Sequence, residues 1–236
     1  MKDYVLSILE GYLEWEKLKQ IKNYDMLPQN SKDDLRIKHD NDAKYYYEKV
    51  GLSKEKALHA DTIISFWTPY SSLLKLEAGW TAYKTQKSLE CLITMIKSNR
   101  TNNYSDKIRQ VNKNIEEFAK VYYTKGNYMI LPKRQMNNQR YSVTEDRIDL
   151  TLYECFGKGV LAKFFIDEEN LIDWINKQNL DSVFKKNNLV RNNINWFVDE
   201  DKPKWISEMT KEEIYEYLGN AILLIKHRNR TKEFSI

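Results

Sequence analysis

Glycine and proline are scarce in this chain, at 7 and 4 of its 236 residues. That scarcity excludes collagen-like and low-complexity architectures, and it argues against a turn-rich all-β fold, whose hairpins depend on both residues. Cysteine is scarcer still. Cys91 and Cys155 lie far apart without a C-x-x-C spacing, and they read as buried thiols rather than a disulfide. The three histidines, His39, His59 and His227, are scattered, none at i, i+4 from another and none near a cysteine. No structural metal and no cofactor are therefore expected. Long apolar runs are missing too: the longest candidate, from Ala221 to Ile225, falls far short of the roughly 18 residues of a membrane span. Asp3, Glu10, Glu14 and Glu16 interrupt the apolar residues of the first stretch, which lacks the unbroken core of a signal peptide. A cytoplasmic protein with no membrane partner is expected.

Familiar catalytic signatures are also absent. There is no G-x-x-x-x-G-K-[ST] or G-x-G-x-x-G phosphate cradle and no G-x-S-x-G nucleophile elbow. No Arg stands four to six residues before a His, a spacing found in one group of helical ribonucleases. Cys155 sits in an apolar helical stretch and reads as core rather than nucleophile. These absences disfavour an enzyme, although carboxylate sites leave weak signatures.

What the chain does have is apolar and aromatic mass. Hydrophobic residues make up 42% and aromatics 13%, enough to bury a core, and 38 Lys+Arg against 34 Asp+Glu leave a net charge of only +4. That excess is too small to mark a nucleic-acid binder by itself. Apolar residues recur at helical spacing along most of the chain. Leu6, Leu9 and Leu13 mark a helix over 4–21. A more polar helix is expected from a cap at Ser31 to a stop at Gly51, and Ser53 caps a further turn. Pro69 ends or restarts a helix in the dense apolar stretch that follows Asp61. Leu89, Leu92, Ile93 and Ile96 mark a helix over 83–97. Another runs from Ser105 to Tyr123, with Ile108, Val111, Ile115, Phe118 and Tyr122 inward and Gly126 as its stop. Thr144 reads as the cap of a helix over 145–156, and shorter helices are expected over 167–178 and 181–186. Thr210-Lys-Glu-Glu213 is a capping box that opens a last helix with Ile214, Leu218, Ile222 and Ile225 on one face. The fold expected is mainly α, a single helix-rich domain over 1–236 in which 1–60 form an N-terminal helical extension packed on 61–236. At most one very small sheet or hairpin is expected, around 128–132 and 194–198.

The polar residues concentrate after residue 126. If 145–156 is helical, Asp146, Asp149 and Tyr153 share one side while Ile148, Leu152 and Phe156 share another. Arg147 in a first turn opposes the helix dipole, so another partner should hold it. Two readings follow. In one, Arg140 or Arg147 bonds Asp146, Asp149 and carbonyls of 126–132 in a buried ion network. In the other, Asn127, Asn137, Arg140, Asp146 and Asp149 form a polar pocket for a small polar ligand or phosphate. Basic residues supply a second candidate. The interval 97–134 carries nine basic against three acidic residues, with Lys107, Arg109 and Lys113 among them and tyrosines interleaved. His227, Arg228 and Arg230 close the last helix. Both clusters could touch phosphates or nucleic acid, but the 97–134 interval reads first as a solvated face and the 227–230 cluster as compensation of the helix dipole.

Ser65-Phe-Trp-Thr-Pro69, Gly126-Asn-Tyr-Met-Ile-Leu-Pro132, Asn138 to Arg140, Asp146-Arg-Ile-Asp-Leu-Thr-Leu152 and Ile225-Lys-His-Arg-Asn-Arg230 are specific as a set and weak singly. As a set they resemble a family of uncharacterised bacterial and phage proteins defined as a domain of unknown function. The resemblance runs from about residue 61 to the end and implies a shared fold without supplying catalytic residues. The function expected is that of a non-enzymatic interaction protein of phage–host conflict, defence or anti-defence, with a protein or ribonucleoprotein partner and only weak support for direct nucleic-acid binding. The alternative is a hydrolase or nuclease acting on a phosphate-containing substrate through Asp146, Asp149 and Glu154, with Arg140 and Arg147 holding the phosphate.

Overall fold

The computed structural model describes residues 3–21, 23–98, 102–156, 159–183 and 203–231. Its backbone divides into two compact units. The first takes Met1–Leu58 and Phe66–Tyr123, and the second takes His59–Ser65 and Thr124–Ile236. The fold is mainly α, with one two-stranded sheet among the described residues. No helix there is long and apolar enough to cross a membrane.

In the first unit, α1 (Tyr4–Lys19) starts where the Asp3 carboxylate accepts the Leu6 amide at 2.8 Å, and Lys17 and Lys19 face the negative end of its dipole. It buries Val5, Ile8, Leu9 and Tyr12. Asn23, at φ 71°, breaks the chain, and α2 (Gln29–His39) begins after Pro28, ahead of the expected cap at Ser31. The helix expected to continue to Gly51 is interrupted at Asp40. That residue is extended, and its carboxylate accepts the Asp42 amide at 3.1 Å to start α3 (Asn41–Lys44). A π-helical segment, Tyr45–Val50, follows directly and stops at Gly51, whose φ of 73° suits glycine. After α4 (Lys54–His59) come α5 (Trp67–Ala78), α6 (Gln86–Lys97) and α7 (Asn103–Tyr122). Pro69 lies in the first turn of α5, where a missing amide costs no helical bond. Asn102 and Ser105 share a capping box at the start of α7. All five residues expected to face inward from α7 are buried, and Phe118 stacks on Phe66 with centroids 6.0 Å apart.

The second unit is built around a pairing of distant segments. Strand β1 (Ala60–Thr62) runs antiparallel to β2 (Tyr128–Ile130), with Ala60 opposite Ile130, Asp61 opposite Met129 and Thr62 opposite Tyr128. The strand expected near 128–132 is thus present, and its partner is 60–62; residues 194–198 lie outside the described residues. Helices α8 (Arg134–Thr144), α9 (Ile148–Cys155), α10 (Glu168–Lys177) and α11 (Lys211–Thr231) complete the unit. Thr144 is the last residue of α8 rather than the cap of the next helix. Glu145 and Asp146 follow with φ of 52° and 53°, and α9 starts only at Ile148. Gly126 does not stop α7. It lies in a 3₁₀ turn where a Cβ would come within 2.1 Å of the Ile225 carbonyl, so glycine lets this turn pack on α11. The Thr210 capping box is formed: the Thr210 amide reaches Glu213 at 2.8 Å and the Glu213 amide reaches the Thr210 hydroxyl at 3.2 Å.

Candidate functional site

Arg140 is the centre of the first polar cluster. It projects from α8 with 0% exposure, so its charge must be met inside the protein. Its Nη1 donates to the Thr62 carbonyl at 3.1 Å and bonds the Asp61 carboxylate, while Nε donates to the Thr151 hydroxyl at 3.0 Å. One side chain thereby ties α8 to both β1 and α9. Asp146 stands 4.0 Å from the same guanidinium, and its carbonyl accepts the Ser65 amide at 3.2 Å. Asn127 is buried beside the same strand, its carbonyl accepting the Ile63 amide at 2.6 Å. Asn137 is half-buried on α8, and among the described residues no hydrogen bond joins it to this cluster.

Arg147 and Asp149 form a second cluster. Arg147 is the extended residue before α9 and pairs in backbone register with Ile64. Its guanidinium forks onto Asp149, Nε to Oδ1 at 3.2 Å and Nη2 to Oδ2 at 2.5 Å. Nη1 donates to the Lys204 carbonyl at 2.5 Å, Glu145 lies 3.7 Å away, and the Tyr217 ring packs 4.7 Å from the guanidinium carbon. Burial is the largest single influence on Arg147 and works against its positive charge, but Asp149, Tyr217 and Glu145 together more than offset it and the guanidinium pKa is raised. Burial pushes the Glu145 carboxyl up as well, against the Ile206 amide and Arg147, which favour its ionised form. Arg147 and Asp149 line a cavity of about 210 Å³ together with Lys204, Glu213, Glu216 and Tyr217. Lys204 and Glu213 pair across it at 2.6 Å.

The carboxylates do not converge. The side that Asp146, Asp149 and Tyr153 were expected to share does not exist, because Asp146 precedes the helix in a left-handed conformation. Asp149 is closed onto Arg147, and Glu154 accepts the Val160 amide at 3.1 Å. Among the described residues no group of three or more His, Cys, Asp or Glu is placed to hold a metal ion. Cys155 is buried, and burial pushes its thiol far above the ordinary cysteine range, which removes it as a nucleophile.

The basic clusters separate into different roles. Arg228 is not a surface residue. It has 0% exposure and donates to the carbonyls of Gly126, Tyr128 and Gln178, the last two at 2.8 Å, so it holds three chain segments against α11. His227 is half-buried and Arg230 exposed. On α7, Lys107 and Lys113 are exposed, whereas Arg109 is half-buried between Asp106, at 2.5 Å, and the Ser98 carbonyl, at 3.1 Å. The partners that complete the polar clusters, Asp61, Thr62, Thr151, Lys204 and Tyr217, were not legible as such. Arg228 was expected on a basic surface, although its position one turn after Leu224 and Ile225 puts it on the apolar face of α11. No family model matches the chain, and no curated protein or solved structure matches it.

Proposed function

We propose that the protein is a non-enzymatic interaction protein that binds a protein or ribonucleoprotein partner in the cytoplasm. One observation carries the reading: each carboxylate that a hydrolase in this region would use is already engaged. Asp149 is forked by Arg147, Asp146 lies against Arg140, and Glu154 takes a backbone amide. A general base or a metal ligand must turn a lone pair toward substrate or cation, and here all three carboxylates are directed at donors of the protein itself. The arginines that would hold a phosphate are turned to the protein as well, Arg140 to Asp61, Thr62 and Thr151 through Nε and Nη1, with its buried Nη2 left without a partner among the described residues, and Arg147 to Asp149 and Lys204. The resemblance to bacterial and phage proteins suggests the setting, phage–host conflict, as defence or anti-defence.

The test is direct. The purified chain is incubated with single- and double-stranded DNA, RNA and a simple phosphate ester, with added Mg²⁺ or Mn²⁺, and is separately used to capture partners from the native host. A stable, saturable partner with no turnover of any substrate is expected. Divalent-dependent cleavage that disappears in Asp149→Asn while the melting curve is retained would overturn the reading in favour of a carboxylate hydrolase.

A further inference from the structure

We draw no further inference here: the strongest candidate, the cavity of about 270 Å³ in the second unit that Cys155, Phe156, Phe165 and Leu171 line at the start of α10, carries nothing, because its charged lining residues, Asp167 and Glu168, serve the cap and first turn of that helix and nothing in the structure shows what covers it.

Discussion

The guanidinium of Arg147 closes on the carboxylate of Asp149 only two residues ahead, with both side chains almost wholly buried at 1% and 2% exposure. A pair so close in sequence faces inward together because Arg147 is extended while Asp149 already lies in the first turn of α9. The carboxylate also suits the positive end of that helix. Breaking a buried pair from one side leaves an uncompensated charge and costs about 3–5 kcal/mol. Arg147→Ala is therefore expected to lower the melting temperature by something on the order of 10 °C. Replacing both partners, as in Arg147→Met with Asp149→Leu, removes the stranded charge and should recover part of the loss. Recovery stays incomplete because the Lys204 carbonyl loses its donor. A double variant less stable than Arg147→Ala would contradict this account.

Arg228 and Arg230 give a sharper contrast, since they are near neighbours on α11 with opposite environments. Arg228→Ala strands the carbonyls of Gly126, Tyr128 and Gln178 away from their donor, and a loss of about 3 kcal/mol or more is expected. Arg230→Ala, at an exposed position, should stay within about 0.5 kcal/mol of the parent. Denaturant unfolding of the two variants measures both, and equal effects would show that the cluster acts as a unit.

Much of the helical architecture was legible because it depends on local patterns. The inward face of α7 and the Thr210 capping box follow from spacing alone, and the structure has both. Ile222 is less buried than its register suggested, with Ala221 and Leu224 taking the core positions beside it. The polar site was legible only as a neighbourhood. Thr144-Glu-Asp reads like a helix start, yet Glu145 and Asp146 both take left-handed backbone that non-glycine residues seldom adopt. What holds them there comes from remote segments: the Ser65 amide on the Asp146 carbonyl, and the Ile206 amide on the Glu145 carboxylate at 2.8 Å. A single sequence does not display such contacts. The same holds for β1, three residues whose strand character comes from pairing with 128–130 rather than from any alternation of their own.

The two cysteines should differ in reactivity. Of the two thiols expected to be buried only Cys155 is, and its thiol is held in the protonated form; Cys91 is exposed on α6. The thiolate is the nucleophile, so a disulfide reagent near neutral pH should modify one thiol rapidly in the native protein and the second only after unfolding. Rapid native modification of both would show that the end of α9 opens readily.

Glu145 supplies the pH dependence. Burial raises its carboxyl above the ordinary value, so the folded chain holds this proton more firmly than the unfolded chain does. The sign follows from linkage: a group with a raised folded pKa favours the folded state fully below the ordinary carboxylate value. That contribution is lost as pH rises through the interval up to the raised value. Glu145→Gln keeps an oxygen for the Ile206 amide but carries no charge to desolvate. Measured against the parent, its stability is therefore expected to improve as pH rises above the ordinary carboxylate value of about 4, and to level off once the raised value is passed. Loss of the Arg147 contact at 3.7 Å works in the opposite direction, but burial is the larger influence on this carboxyl. Melting curves of the two proteins across that interval decide the matter: a variant that loses ground to the parent as pH rises would mean that Arg147, rather than burial, governs Glu145.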